Sequence, residues 1–131
     1  MLKKICLGAA FFWAGIILYL CLIRISELPA LSIPYIDKLL HAFFYFVFSL
    51  LWFYALRFNS RSKSRAKILW IVFFLSLFFG IAIELFQTYL TTYRSGDILD
   101  VLANMSGTLL AILIIIILDK KDFLSKIPPQ P

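Results

Sequence analysis

Four long stretches of the sequence contain few charged residues, and they limit the possible folds more than any other feature. The stretches cover residues 5–23, 39–56, 68–92 and 98–118. A helix over the first would be about 28 Å long at a rise of about 1.5 Å per residue, enough to cross the hydrocarbon core of a bilayer. Four open strands in lipid would leave backbone groups without partners. The sequence therefore predicts an all-α, polytopic membrane protein with four transmembrane helices in a bundle and a single domain over residues 1–131.

The composition excludes a soluble domain. Hydrophobic residues make up 63% of the chain and charged residues 15%, and a soluble domain of this size could not cover its surface with so few charges. The net charge of +6 would suggest a nucleic-acid partner in a soluble protein. In a membrane protein, however, lysine and arginine chiefly set the orientation, so no nucleic-acid partner is predicted.

The basic residues are distributed unevenly between the two sides of the predicted bundle. One side carries the amino-terminal end, the second connection and the tail, with Lys3, Lys4, Arg57, Arg61, Lys63, Arg65, Lys67, Lys120, Lys121 and Lys126. The other side carries Arg24, Lys38 and Arg94. The positive-inside rule therefore places both termini and the second connection in the cytoplasm, and the first and third connections outside.

Polar side chains that lipid would reject fall on one face of each of the last three predicted helices. Together with Lys38 and Arg94 at the outer ends, they give a candidate site of ten residues, and they occupy the predicted outer half of the membrane. The candidate residues are Asp37, Lys38, His41, Tyr45, Glu84, Gln87, Arg94, Asp97, Asp100 and Asn104. If the three faces meet, they enclose an outward-facing polar pocket.

Two segments resemble the paired signatures of VanZ-like membrane proteins. The first is Asp-Lys-Leu-Leu-His-Ala-Phe-Phe-Tyr over residues 37–45. The second runs from Glu-Leu-Phe-Gln at residues 84–87 through Arg94 and Asp97 to Asp-Val-Leu-Ala-Asn-Met-Ser-Gly at residues 100–107. The resemblance covers about residues 35–118. It implies a protein of the bacterial plasma membrane and cell envelope that lowers susceptibility to teicoplanin, a glycopeptide antibiotic, and it implies no particular reaction.

Three functional interpretations of the polar residues remain open. In the first, Lys38, Arg94 and the amides that begin the fourth helix bind the anionic head group of an envelope lipid or lipid-linked wall precursor. In the second, Glu84 or His41 acts as the acid or base of a transferase or hydrolase, while Asp37 orients the imidazole. In the third, the polar residues form a non-catalytic scaffold that fixes helix register.

The sequence predicts neither a cofactor nor a metal site. A metal site built from Asp37, His41, Glu84 and Asp100 would have a single imidazole with scattered carboxylates, which is a weak signature. Catalytic residues cannot be assigned from the sequence, and homo-oligomerisation is left open.

Several positions also have a local structural interpretation. Asp97 follows Gly96 and is a candidate N-cap for the fourth helix, with Asp100 at the third helical position as a weak analogue of a capping box. Gly107 and Gly80 are predicted to permit close helix packing, because small residues let helix backbones approach each other in membranes.

The orientation can be tested with reporter fusions. Alkaline phosphatase folds only outside the cytoplasm, so we expect it to be inactive when fused after Asn59 or at the carboxyl terminus and active when fused after Thr92. Green fluorescent protein at the same positions should give the opposite pattern. Phosphatase activity at the carboxyl terminus would show that the predicted orientation is wrong.

Overall fold

A computed structural model describes residues 1–22, 35–59, 64–92 and 95–120, without the side chains of residues 119 and 120. In these ranges the chain forms four α-helices and no strand. The helices are α1 (Leu2–Leu22), α2 (Ile36–Asn59), α3 (Arg65–Leu90) and α4 (Ile98–Lys120). Each contains a segment long and apolar enough to span a membrane. The all-α, four-helix prediction is confirmed, whereas the cytoplasmic position of the termini stays a prediction.

The first three helices begin about one turn before the apolar stretches that predicted them. Charge marks the edge of the lipid-compatible stretch, but lysine and arginine are good helix formers and do not end a helix. At the start of α3, the Ser64 hydroxyl accepts a hydrogen bond of 3.3 Å from the amide of Lys67. This N-cap extends α3 through basic residues that the apolar pattern leaves out.

Helix α2 lies at the centre of the bundle. It packs against α1, α3 and α4, most extensively against α4, whereas within the described residues α1 packs on α2 and α3 only. Lys38 contacts Asp100, and Ser49, further along α2, contacts Thr108, further along α4. Residue numbers therefore rise in the same direction along both helices, so α2 and α4 run parallel. Because α3 runs antiparallel to them, the carboxyl end of α3 meets the amino ends of α2 and α4.

Two apolar clusters hold the helices together. One surrounds Tyr45 and Phe48 of α2 and includes residues of α1 and α3, and the Phe48 ring stacks on Phe79 with centroids 5.0 Å apart. The other surrounds Phe53 and includes residues of α3 and α4 nearer the opposite end of the bundle. Other large apolar side chains point outward, among them Phe12, Trp70 and Phe78, as expected for lipid contact.

The backbones of α2 and α4 touch at Gly107. A Cβ atom on this residue would overlap the carbonyl oxygen of Ala42, so only glycine permits this approach. The predicted close-packing role of Gly107 is therefore confirmed. Gly80 also lies in a tight position, since a Cβ there would be 3.1 Å from Nδ2 of Asn104 and 3.5 Å from the Tyr45 hydroxyl.

We expect Gly107→Ala to destabilise the protein by about 1–3 kcal/mol, the usual cost of overpacking, because α4 must move away from α2. Gly15→Ala is a matched control, since a Cβ there meets no atom within 4 Å. Thermal unfolding in detergent should show a lower melting temperature for the first variant and an unchanged or slightly higher one for the second. Equal melting temperatures would contradict the close contact.

Candidate functional site

An ion-pair network lies where the amino ends of α2 and α4 meet. The ammonium of Lys38 is 3.0 Å from Oδ2 of Asp37, 2.6 Å from Oδ2 of Asp97 and 2.5 Å from Oδ1 of Asp100. The side chains of Asp37 and Asp97 are 48% and 39% exposed, whereas that of Asp100 is 8% exposed. The network therefore has an exposed outer edge at Asp37 and Asp97, called here the rim. Its inner part, called here the floor, is buried and includes Asp100.

Asp97 both caps α4 and pairs with Lys38. Its Oδ1 accepts a hydrogen bond of 2.8 Å from the amide of Leu99, so the predicted N-cap is confirmed. The hydrogen bond from the Lys38 ammonium, and secondly the one from the Leu99 amide, lower the pKa of the Asp97 carboxyl from its ordinary value. Asp97 is therefore held in its ionised form.

The capping-box interpretation of Asp100 is wrong. In a capping box, the side chain at the third helical position would accept from the amide of Asp97. Here that amide donates to Oε2 of Glu84, on α3, at 2.9 Å, and Asp100 contacts Lys38 instead. A carboxylate of α3 thus accepts the hydrogen bond from the amide of the residue that caps α4. This contact joins α3 to α4.

A second polar level lies about one turn deeper, around His41. Its Nδ1 is 3.0 Å from Oδ1 of Asn104, and its Nε2 is 3.7 Å from Oδ2 of Asp100. One ligand-type atom each of His41, Glu84 and Asp100 lies within 4.8 Å of the other two. Asn104 therefore orients the imidazole. The sequence interpretation gave this role to Asp37, but the Asp37 carboxylate contacts Lys38 instead.

The structure brings seven of the ten predicted site residues into one contacting group, called here the acid–base cluster. It consists of Asp37, Lys38, His41, Glu84, Asp97, Asp100 and Asn104.

The other three candidates are placed differently. The Gln87 amide donates to the carbonyl of Cys21 at 2.9 Å and so joins α3 to the end of α1. Tyr45 is fully buried, with its hydroxyl beside Gly80 at the edge of the acid–base cluster. Arg94 lies outside the described residues.

Sequence reasoning missed a third polar level. The Ser49 hydroxyl is 3.1 Å from that of Ser76 and 3.2 Å from that of Thr108, and all three residues are buried. The only available signal was spacing, since Ser76 lies four residues before Gly80 and eight before Glu84 and so shares their helix face. Because serine is small and uncharged, Ser76 hardly interrupts the apolar pattern of this segment.

Comparison with known protein families gives a match that includes the helices carrying the acid–base cluster. The profile of the VanZ/LLP1 family matches residues 7–119, which include α2 and α3 entirely and most of α1 and α4. The chain belongs to the VanZ/LLP1 family. No solved structure matches it significantly.

A relative of this VanZ/LLP1 chain occurs in a eukaryote. An uncharacterized protein of Schizosaccharomyces pombe is 33% identical over 93 residues, which cover 71% of this chain and 54% of that protein. The chain thus spans about half the length of this curated relative. Since the relative is from fission yeast, similarity of this kind does not by itself indicate a bacterial envelope or glycopeptide resistance.

We expect Lys38→Met to destabilise the VanZ/LLP1 bundle strongly. Removing the ammonium leaves Asp97 and the buried Asp100 close together without their shared counter-ion, and breaking a buried ion pair costs about 3–5 kcal/mol. Because Lys38 is partly exposed, the expected loss is about 3 kcal/mol, the low end of that range.

Lys67→Met is the matched control, because Lys67 is exposed at the start of α3. Thermal unfolding of both variants in detergent should give a clearly lower melting temperature only for Lys38→Met. Similar melting temperatures would mean that the ion network does not stabilise the fold.

Proposed function

We propose that this protein binds the polar end of an envelope lipid or lipid-linked wall precursor at the acid–base cluster. In this proposal it acts in the bacterial plasma membrane and reduces the access of teicoplanin-type glycopeptides to the envelope. The observation that carries the proposal is the cluster itself, which has a half-exposed rim at Asp37 and Asp97 and a buried floor at His41, Glu84 and Asp100. A polar head group at the membrane surface can reach such a rim while its lipid chain stays beside the helices.

The charges of the cluster support binding over a purely structural role. Ionisable groups at membrane depth are costly and are retained chiefly for function. A structural ion pair needs one carboxylate for one ammonium, yet Lys38 contacts the carboxylates of Asp37, Asp97 and Asp100. Three carboxylates are more than an ion pair that only holds α2 to α4 would require.

The geometry also changes the expected head-group chemistry. Lys38 is enclosed by carboxylates, and Asp97 already accepts from the Leu99 amide at the start of α4. These two features, which the sequence analysis assigned to an anionic head group, are therefore occupied. The carboxylate-rich rim favours donors instead, such as the amine, amide and hydroxyl groups of a lipid head group or of a wall precursor's sugar and peptide.

An intramembrane transferase or hydrolase is a second candidate function. Asn104 fixes one nitrogen of His41, and the other nitrogen faces a carboxylate of Asp100 at 3.7 Å. An oriented imidazole beside carboxylates is the usual arrangement of a general acid or base. Formation of a modified lipid by the purified protein would favour this candidate over simple binding.

We expect the wild-type protein, purified in mild detergent, to retain an envelope lipid or precursor that mass spectrometry identifies. Glu84→Gln should weaken retention at least about tenfold, equivalent to about 1.4 kcal/mol, because it removes a carboxylate charge from the cluster with little change of shape. Ser76→Ala is the control on the same helix, since Ser76 is buried in the deeper serine–threonine level.

The same three proteins should be expressed in a teicoplanin-susceptible host. Wild type and Ser76→Ala should raise the minimal inhibitory concentration, and Glu84→Gln should not. Unchanged susceptibility with wild type would contradict the resistance part of the proposal, and equal lipid retention by all three proteins would favour a scaffold.

A further inference from the structure

Three buried side chains from three different helices converge at the floor of the acid–base cluster. His41 of α2, Glu84 of α3 and Asp100 of α4 are 4%, 7% and 6% exposed. One nitrogen or oxygen atom from each lies within 4.8 Å of the other two. One imidazole with two carboxylates provides three ligands of the kind that bind divalent transition metals.

The hydrogen bonding of His41 prepares one ring nitrogen for a cation. The Asn104 Oδ1 atom, 3.0 Å from Nδ1, can only accept, so Nδ1 carries the hydrogen and neutral His41 has its lone pair on Nε2. Nε2 faces Oδ2 of Asp100 at 3.7 Å. Two acceptors therefore face each other across a gap, an arrangement that becomes favourable when a cation or a hydrogen-bond donor lies between them.

The width of this gap suits a metal ion better than a proton. A hydrogen bond would bring nitrogen and oxygen to about 2.7–3.2 Å. Two ligands that each lie about 2.1 Å from a tetrahedral ion are about 3.4 Å apart, using typical zinc bond lengths. In known metal sites the second nitrogen of a ligating histidine usually donates to an oxygen acceptor, as Nδ1 does here to Asn104.

Two buried polar atoms give a separate indication of a bound group. The Tyr45 hydroxyl and Nδ2 of Asn104 belong to fully buried residues and have no hydrogen-bond partner in the described part of the chain. Both lie next to Gly80, and Asn104 itself contacts His41. A water or ligand oxygen beside Gly80 would supply the missing acceptor.

Lys38 does not prevent a cation from binding. It contacts Oδ1 of Asp100, whereas Oδ2 faces His41, so the two oxygens can serve different partners. Asp37 and Asp97 also contact the ammonium and offset its positive charge. Asp100 is thus placed to bridge Lys38 and an ion.

We propose that His41, Glu84 and Asp100 bind a divalent transition-metal ion of the Zn²⁺ or Mn²⁺ type, with Asn104 as the residue that positions the imidazole. The nitrogen ligand favours such an ion over Mg²⁺, which prefers oxygen ligands alone. We also propose, resting on the proposed function, that the bound ion can take a phosphate oxygen of the head group as a further ligand. The ion reduces the excess negative charge that makes the metal-free rim favour hydrogen-bond donors.

The first experiment uses the metal alone. Protein purified with a tag that contains no histidine, then stripped with a chelator, should bind one Mn²⁺ or Zn²⁺ per chain, as measured by titration calorimetry and elemental analysis. His41→Gln, Glu84→Gln and Asp100→Asn should abolish this binding, and Ser76→Ala should retain it. Asn104→Leu should weaken it about 10–100-fold, the usual effect of losing a residue that orients a ligand.

A second measurement needs no variant and so avoids misfolded proteins. The chain contains a single histidine, so pulsed electron paramagnetic resonance of Mn²⁺-loaded wild type with ¹⁵N-labelled histidine should show coupling to one imidazole nitrogen. Absence of stoichiometric metal binding, or bound Mn²⁺ without this coupling, would overturn the proposed site.

A third measurement separates the metal site from the proposed function. If the ion binds phosphate, chelation should release the retained lipid and Zn²⁺ or Mn²⁺ should restore its binding. Lipid retention that is unchanged by chelation would overturn the phosphate link alone. A protein that binds the ion but retains no lipid would contradict the proposed function and leave the metal site standing.

Discussion

The parallel contact between α2 and α4 determines the position of the polar side chains. At Gly107 the α4 backbone lies against the carbonyl of Ala42, so the two helices are held close and in a fixed register. From this register follow the contacts of Lys38 with Asp100, one turn or more above the glycine, and of Ser49 with Thr108 below it. A bulkier residue would move α4 away from α2 and separate these partners.

The polar contacts form levels that change in character with depth. The rim holds ion pairs around Lys38, the next level holds His41 with Asn104, and the deepest holds hydroxyl groups of serine and threonine. Beyond them the bundle is closed by the apolar cluster around Phe53. This order matches the rising cost of charge away from the membrane surface, so the most strongly charged groups lie where water can still reach them.

The residues of the cluster that stabilise the fold are also those at which binding is proposed. Asp97 caps α4, pairs with Lys38 and lies at the rim, and Glu84 accepts from the Asp97 amide while it faces His41 and Asp100. Substitution of such residues is therefore expected to change stability as well as the proposed binding. Buried hydroxyl groups such as that of Ser76, which lie on the same helices but outside the cluster, allow the two effects to be separated.

The sequence alone determined the all-α class and the four membrane-spanning stretches, because the length of apolar runs and the requirement for internal backbone pairing leave few alternatives. It also identified most of the cluster, since a charge such as Asp100 or Glu84 within an apolar helix stands out. Only the tertiary structure decided the partners. Glu84 rather than Asp100 accepts from the Asp97 amide, Asn104 orients His41, and Gln87 donates to α1 and lies outside the cluster. Each of these pairings depends on the register between helices that are far apart in sequence. Periodicity within one helix shows which face a residue occupies, but it contains no information on the rotation and translation of the neighbouring helix.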